Sequence, residues 1–464
     1  MGLLASNGLD YAVVVLACQL GGITLVPLPG LVAHDALARM IADAGVTVLF
    51  HDRDHAEKAR TSAVMRADEG KVSCVEIGLV HADGSHGLLD AWLGAGTSPF
   101  TPTVIDDDWI SDLIYSSGTT GTPKGVAQSY GARKEQCISL AQFGVTRETR
   151  SLQTVGLCSN YGFSSLLLSL WWGGTFFIMR KFSAEAAVVI LARETIDMAW
   201  MPPATLIRTV EAPGFRTAVA GKPCIKICAG APLSETHKLQ VLEQWPGPFY
   251  DVYGQTETGT LTVLAMHAIP PAKLKSVGKV LPTVQVRIID DAGRVLGPGV
   301  EGEIVGQSST LMTGYHQRDD ANASAYWRDE AGRLYIRTGD IGKIDEDGFL
   351  WLCDRKKDMI ISGGYNVYPA DIERVAGDHP AVFEVAVVGC ASAKWGESPV
   401  AFLTLRDGET ADPDELRAWI NARVGAVQRV AAVKILAELP NGAMGKILKR
   451  ELRETHADAI GTLP

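Results

Sequence analysis

Two kinds of apolar segment alternate along much of this 464-residue chain, and this alternation constrains its fold most strongly. Helical apolar spacing over residues 10–22 and 33–44 alternates with shorter apolar runs, and a second alternating stretch covers about residues 151–251. Such β/α alternation predicts a mostly parallel sheet covered by helices, and hence an α/β fold. The expected strands are residues 23–27, 46–50, 175–179, 198–201 and 225–229.

The pattern changes after residue 279. Short alternating apolar runs at 284–289, 302–305 and 349–353 are separated by Asp- and Gly-containing turns. This spacing is typical of antiparallel strands joined by tight connections. We expect a small antiparallel barrel or sheet in this part of the chain.

A charged run, DRKKD at residues 354–358, marks a domain boundary. We predict an N-terminal domain over 1–353, a hinge at 354–358 and a C-terminal domain over 359–464. The last domain has α+β patterning, with strands expected at 384–388 and 400–405. A helix is expected to begin with Asp412 as its N-cap and Pro413 in its first turn.

Composition limits the classes of function. The net charge of −10 argues against a non-specific nucleic-acid binder, and 47% apolar residues argue against a disordered chain. The eight cysteines, including the close pair Cys224 and Cys228, are interpreted as free thiols of a cytoplasmic protein. The amino end matches a myristoylation pattern, but its apolar run stops short of a membrane span. A buried helix and strand are the better interpretation.

Residues 115–126 read YSSGTTGTPKGV and have the composition of a phosphate-binding loop. Glycines permit close backbone approach, hydroxyl groups donate to phosphate oxygens, and Lys124 adds positive charge. The Walker spacing is absent, because Gly125 rather than Ser or Thr follows Lys124. An isolated run of this kind is more often a solvated loop, so its interpretation as a phosphate-binding loop depends on the other motifs in the chain.

The loop resembles the phosphate-binding signature of the adenylate-forming superfamily, which includes acyl-CoA synthetases, peptide-synthetase adenylation domains and luciferases. Four further segments resemble the signatures of this superfamily and follow in its order. They are AGAPL at 229–233, DVYGQTETG at 251–259, TGD at 338–340 with DRKKDMIISGGYNVYP at 354–369, and LPNGAMGKILKREL at 439–452. The resemblance implies β/α-layered subdomains plus a small barrel, joined by a hinge to a small α+β lid domain.

The resemblance implies ATP, Mg²⁺ and CoA as ligands. Thr256 can donate to a phosphate oxygen, Glu257 is a hard oxygen ligand suited to Mg²⁺, and the face of Tyr253 can support adenine. The nucleotide contacts implied are Ser116, Ser117, Gly118, Thr119, Thr120, Gly121, Thr122, Lys124, Ala229, Gly230, Ala231, Pro232, Asp251, Tyr253, Gly254 and Thr256.

Further roles are implied nearer the carboxyl end. Asp340 is expected to accept hydrogen bonds from the ribose hydroxyls, Arg355 to contact ribose or phosphate, and Lys357 to lie at the pivot of the lid. Lys446 resembles the catalytic lysine of the first step. Gly363, Gly364 and Trp395 are expected beside the CoA arm, and Lys449 and Arg450 are expected to be solvated.

The expected reaction has two steps: a carboxylic acid and ATP give acyl-AMP and pyrophosphate, and CoA then displaces AMP. An aromatic or medium-length acid is expected. The candidate pocket walls are Tyr161, Phe163, Ser164, Trp200 and Thr260. Two alternatives are an amine or carrier-protein acceptor, and a non-catalytic nucleotide-binding paralogue. An N-terminal strand and helix of the family are expected to be absent before residues 1–29, and a monomer and a homodimer are both left open.

Overall fold

The computed structural model describes residues 1–64, 72–77, 103–116, 124–362, 365–392, 394–441 and 447–460. The chain divides into two compact units. The first contains Met1–Gln285 and Gly306–Ile336, and the second contains Val286–Val305 and Arg337–Pro464. The predicted boundary at residues 354–358 is a different division, and its action as a hinge stays a prediction.

The first unit contains a seven-stranded sheet. Five neighbouring strands are parallel, as the β/α alternation predicts, and two antiparallel strands continue the sheet. In spatial order the strands are Thr175–Ile178, Arg150–Gln153, Met198–Trp200, Ile225–Ala229, Phe249–Gln255, Gly259–Ala265 and Lys279–Val280. The predicted α/β class is confirmed.

A four-stranded parallel sheet includes the amino end of the chain. Its strands, in spatial order, are Val26–Pro27, Gly2–Leu4, Val48–His51 and Ser73–Glu76. The strand predicted at 23–27 is shorter because Leu25 forms an isolated bridge with Asp112 instead. The preceding helix, Leu9–Gly21, buries Tyr11 and Val15 in an apolar cluster but exposes Leu9, Leu16 and Leu20, so the predicted helix is present and only one face of it is buried.

Serine side chains cap several helices of the first unit. Ser129, Ser159, Ser183 and Ser234 each accept a hydrogen bond from a backbone N–H in the first turn that follows. The helices among the described residues of this unit are Leu9–Gly21, His34–Asp43, Ala56–Val64, Tyr130–Leu140, Asn160–Trp172, Ala184–Arg193, Pro203–Glu211, Phe215–Val219, Glu235–Gln244 and Asp319–Ala325. Short 3-10 turns are Arg53–His55, Ala141–Phe143, Met266–Ala268 and Pro271–Lys273.

A three-stranded antiparallel sheet carries the stems of the predicted phosphate loop. Its strands, in spatial order, are Gly314–Tyr315, Lys124–Ser129 and Ile110–Ser116. Strand Tyr326–Arg328 pairs with the first residues of strand Leu334–Ile344, which continues into the second unit.

The second unit contains strand Leu350–Arg355, most of strands Gln285–Ile289 and Gly302–Gln307, and the rest of Leu334–Ile344. The strand predicted at 349–353 runs two residues further, because Asp354 and Arg355 pair with Ile341 and Asp340. A second sheet contains Tyr365–Val367, Ile360–Ser362, Gly396–Leu405, Val382–Ser392 and Ala432–Ile435. The helices described in the second unit are Pro369–Gly377, Pro413–Asn421 and Lys449–Ile460, and a 3-10 turn covers Ala426–Gln428.

The predicted cap of helix Pro413–Asn421 is confirmed. One carboxylate oxygen of Asp412 accepts hydrogen bonds from the backbone N–H groups of Asp414 and Glu415 at 2.9 and 3.1 Å. Across the described parts of the chain, every helix is too short or too polar to cross a bilayer.

Candidate active site

The two stems of the predicted phosphate loop meet at Ser116 and Lys124. Strand Ile110–Ser116 ends where strand Lys124–Ser129 begins, and these two residues are register partners in the antiparallel pair. The loop therefore leaves and re-enters the sheet at one point. Its members Ser117, Gly118, Thr119, Thr120, Gly121 and Thr122 lie outside the described residues.

Tyr315 brings two of the predicted site residues together. Its hydroxyl donates to a carboxylate oxygen of Glu257 at 3.0 Å. The ammonium of Lys124 lies 5.0 Å from the centroid of the Tyr315 ring, within the range of a cation–π contact. The predicted phosphate contact Lys124 and the predicted magnesium ligand Glu257 thus share one aromatic side chain, Tyr315, which was not among the predicted site residues.

The turn that carries Thr256 and Glu257 is held by its backbone. The Thr256 carbonyl accepts from the Gln128 side chain at 2.7 Å, and the Glu257 carbonyl accepts from the Met312 N–H at 2.9 Å. A Cβ atom added at Gly254 would lie 2.1 Å from the Gly259 carbonyl oxygen, so glycine is needed for this close approach. Strand Phe249–Gln255 therefore leads directly into a turn whose backbone is held in place, and this turn carries the side chains of Thr256 and Glu257.

Asp251 has an internal partner in this structure. Its carboxylate is buried and lies 2.9 Å from the ammonium of Lys238. Burial raises the pKa of Asp251, and the Lys238 charge opposes that rise. The observed contact joins strand Phe249–Gln255 to helix Glu235–Gln244, and a contact of Asp251 with nucleotide stays a prediction.

The predicted adenine segment begins at the carboxyl end of a parallel strand. Ala229 is the last residue of strand Ile225–Ala229, and Gly230 has φ of +95°, a conformation that favours glycine. Ala231 and Pro232 follow before Ser234 caps the next helix. Ligands of open α/β sheets bind beside the carboxyl ends of strands, so the placement suits the prediction.

The five predicted pocket walls fall into separate contacts. Tyr161 and Trp200 meet edge to face with ring centroids 5.8 Å apart, and the Tyr161 hydroxyl donates to the Ile227 carbonyl at 2.7 Å. Burial raises the pKa of Tyr161, which keeps this donor protonated. The buried indole N–H of Trp200 has no hydrogen-bond partner within the described ranges.

The other three walls adjoin helix Tyr130–Leu140. Phe163 is fully buried in the core with its ring 5.2 Å from the Arg133 guanidinium carbon, and Ser164 donates to the Gln136 side chain at 3.0 Å. Thr260 lines a small recess that Gln136 also lines. Gln136 thus accepts from Ser164 and lines the same recess as Thr260, and whether these residues contact the acid stays a prediction.

A buried cluster of charged and polar side chains, centred on Arg133, contacts Phe163 and Ser164. Arg133 donates to both carboxylate oxygens of Asp112, from Nε at 2.8 Å and from Nη2 at 2.5 Å. Its Nη1 donates to Gln136 and Asn160 at 2.8 Å and to Ser164 at 3.2 Å. The sequence gives little signal for this cluster, because residues 21 positions apart are joined only by the fold.

In the second unit, Asp340 and Arg355 form one group. They are register partners in adjacent strands, and Arg355 Nε lies 2.8 Å from a carboxylate oxygen of Asp340. Gly339 lies inside strand Leu334–Ile344 and has φ of +68°, a conformation that favours glycine. Lys357 follows in a turn, where partial desolvation lowers its pKa; Asp358 opposes that decrease, and Arg355 and Arg453 add to it. The two residues predicted to contact the ribose, Asp340 and Arg355, thus contact each other.

The remaining lid residues are partly described. Trp395 is 47% exposed, and the Lys394 ammonium lies 4.7 Å from its ring centroid. Gly363, Gly364 and Lys446 lie outside the described residues. The expectation that Lys449 is solvated is wrong: its side chain is 17% exposed and pairs with Glu373 at 2.7 Å. Glu373 is only partly buried; its desolvation raises the pKa of its carboxyl, and the Lys449 charge opposes that rise.

Among the described residues, no group of three or more His, Cys, Asp and Glu side chains is placed to hold a metal. All eight cysteines are free thiols, as expected. A single carboxylate such as Glu257 is nonetheless suited to Mg²⁺, which commonly takes one or two carboxylates together with substrate phosphates.

Comparison with known proteins identifies the chain. A family described as AMP-binding enzyme matches residues 1–316, and its C-terminal domain matches residues 371–446. A feruloyl-CoA synthase from Amycolatopsis sp is 31% identical over 453 residues, covering 97% of this chain and 87% of the relative. A 2-succinylbenzoate–CoA ligase from Bacillus velezensis is 31% identical over 460 residues with the same coverage.

Solved structures agree. ATP-bound MatB from Rhodopseudomonas palustris has a TM-score of 0.87 at 25% identity, covering 99% of this chain and 89% of the other. The amide bond synthetase McbA from Marinactinospora thermotolerans has a TM-score of 0.85 at 27% identity, covering 98% of this chain and 89% of the other. The resemblance inferred from the sequence motifs, and the fold class it implies, are confirmed.

Proposed function

The chain belongs to the AMP-binding enzyme family and is an AMP-forming acid–CoA ligase, and from that premise we propose that its acid carries an aromatic ring. The proposed nucleotide site rests on one observation: Lys124 and Glu257 both contact Tyr315. Lys124 is also the residue at which the chain re-enters the sheet after the phosphate loop. The names of two relatives, a feruloyl-CoA synthase and a 2-succinylbenzoate–CoA ligase, both denote aromatic acids.

In the first step, a carboxylate oxygen of the acid attacks the α-phosphorus of ATP. The new oxygen–phosphorus bond forms as the bond to pyrophosphate breaks, giving acyl-AMP. The acid and the triphosphate are both anionic, so the site must orient them and neutralise charge. Lys124 would contact the phosphates, Thr256 would donate to a phosphate oxygen, and the resemblance implies that Lys446 stabilises the transition state.

Glu257 is the residue that would hold Mg²⁺, which when bound neutralises charge on the pyrophosphate leaving group. Its carboxylate is only partly buried, and its orientation is fixed by the Tyr315 hydroxyl. A hard oxygen donor that is oriented before binding fits this ion. Asp340, oriented by Arg355, would accept hydrogen bonds from the ribose hydroxyls.

In the second step, the sulfur of CoA attacks the acyl carbonyl, and AMP leaves with the electrons of the carbon–oxygen bond. The thiol proton goes to solvent or to AMP. The proposed acid-binding surface includes Tyr161 and Trp200, whose rings offer flat apolar contact. The buried Trp200 N–H can donate to a polar substituent of the acid.

A panel of aryl acids and chain-length-matched alkyl acids tests the substrate class. With ATP, CoA and Mg²⁺, aryl acids are expected to give acyl-CoA and AMP with higher kcat/KM than alkyl acids. Trp200→Phe is expected to raise KM for aryl acids that carry a hydroxyl or ether group and to leave KM for unsubstituted ones unchanged. A clear preference for alkyl acids would contradict the aromatic assignment.

A second acceptor is supported by the structural likeness to an amide bond synthetase. An amine in place of CoA would attack the same acyl-AMP and give an amide. Product analysis with CoA alone, amine alone and both together separates the two. Thioester as the main product in competition supports CoA, and amide as the main product would assign the amine.

A further inference from the structure

We propose that Tyr315 is a positioning residue for the magnesium-bound nucleotide, fixing the Glu257 carboxylate through its hydroxyl and the Lys124 ammonium through its ring. The inference rests on the proposed roles of Lys124 and Glu257. Tyr315 itself is not among the residues predicted from the sequence to contact the nucleotide or the metal.

The strand register brings Lys124 to the Tyr315 ring. Tyr315 is directly opposite Val126 in the antiparallel pair, and opposite residues project from the same face. Lys124 is two residues before Val126 on the same strand, so its side chain also projects from that face. The cation–π distance of 5.0 Å is the expected contact between diagonal neighbours.

The hydroxyl of the same side chain reaches Glu257. Its oxygen lies 3.0 Å from one carboxylate oxygen, so the donated bond restricts rotation of the carboxylate. Partners of this kind, one bond removed from a metal ligand, set ligand orientation in many metal sites. Lys124, Glu257 and Tyr315 are all only partly buried, so a ligand can reach the charged pair.

The backbone of Tyr315 is clamped on both sides. Its N–H donates to the Asn322 side-chain oxygen at 2.7 Å, and its carbonyl accepts from the Asn322 side-chain nitrogen at 3.0 Å. The next residue, His316, donates its N–H to the Gly125 carbonyl at 2.8 Å. The ring is therefore held in place relative to both the loop stem and the Glu257 turn.

Tyr315→Phe keeps the ring and removes the hydroxyl, and Tyr326→Phe is a matched control. Tyr326 packs against the same apolar cluster, and its hydroxyl donates to the Thr313 carbonyl at 3.1 Å rather than to Glu257. Calorimetric titration of ATP into the full chain, at a series of MgCl₂ concentrations and in EDTA, requires no acid substrate. Thermal unfolding of each variant reports its stability.

Tyr315→Phe is expected to require about tenfold more Mg²⁺ for half-maximal enhancement of ATP binding, the low end of effects seen for such indirect metal partners. Its affinity for ATP in EDTA is expected to change less than about twofold, because the ring contact with Lys124 remains. Tyr326→Phe should match the wild type in both. An unchanged Mg²⁺ dependence in Tyr315→Phe, or an equal change in Tyr326→Phe, would overturn the proposal.

Glu257→Gln separates this inference from the proposed site. If Glu257→Gln loses the Mg²⁺ enhancement and Tyr315→Phe does not change it, the positioning role alone is wrong. If Glu257→Gln behaves as the wild type, the magnesium assignment itself is wrong, and the inference is overturned with it. Should Tyr315→Phe not fold, Asn322→Ser, which loosens the clamp, is expected to raise the Mg²⁺ requirement in the same direction, and no change would contradict the proposal.

Discussion

Removing the Asp112 carboxylate is expected to destabilise the first unit strongly. Asp112 is fully buried, and the Arg133 side chain is 4% exposed, so Asp112→Ala leaves a buried guanidinium without its counter-charge. Two hydrogen bonds from Arg133 and one from Ser111 lose their acceptor. Breaking a buried pair in this way costs about 3–5 kcal/mol of the free energy of unfolding.

An exposed ion pair made by the next residue of the same helix, Lys134, provides the control. Lys134 and Asp107 are paired, but their side chains are 37% and 61% exposed. Asp107→Ala is expected to leave the unfolding midpoint unchanged, because solvent screens exposed pairs. In Asp112→Ala/Arg133→Met, which removes both buried charges, at least half of the lost stability should return.

Urea unfolding followed by tryptophan fluorescence measures these differences from the midpoints at matched slopes. A loss below about 1 kcal/mol for Asp112→Ala would refute the reasoning, because it would mean that Arg133 finds other partners or water at no cost. An equal loss in Asp107→Ala would show that burial does not separate the two pairs. If Asp112→Ala/Arg133→Met is no more stable than Asp112→Ala, the unpaired guanidinium is not the cause of the lost stability.

Three further outcomes are expected. Asp340→Ala should weaken ATP binding in an equilibrium titration, and an unchanged affinity would remove the ribose assignment. Lys446→Ala should abolish acid-dependent ATP–pyrophosphate exchange yet spare thioester formation from supplied acyl-AMP, and equal loss of both half-reactions would contradict its role. Burial raises the pKa of Cys353 to about 12, so thiolate forms only as pH approaches that value. A thiol reagent should therefore label this residue slowly at pH 8, and rapid labelling there would contradict the raised pKa.

Local signals in the sequence predicted much of the fold. Strand Ile225–Ala229 has the predicted bounds, because an apolar run with a clear end fixes a parallel strand. Asp412 caps its helix as expected, because capping depends on residues within one turn. The five motif segments gave the family because each holds several residues at fixed spacing.

Contacts between distant segments could not be predicted in the same way. Tyr315 lies 58 positions from Glu257 in a strand of two residues, which is too short for a periodic signal. The Arg133 cluster depends on one strand and two helices meeting, and Lys449 is paired with Glu373 from another helix. Such partners are set by tertiary packing, and a single sequence carries no local trace of them.

The most direct test of the account is acid-dependent ATP–pyrophosphate exchange by the full chain with a panel of aromatic and aliphatic acids. The account predicts exchange that requires both an acid and Mg²⁺, is strongest with aryl acids, and proceeds without CoA, because adenylation precedes thioester formation. Absence of exchange with every acid, in a protein shown to be folded and to bind ATP, would contradict the adenylation on which the proposed function rests.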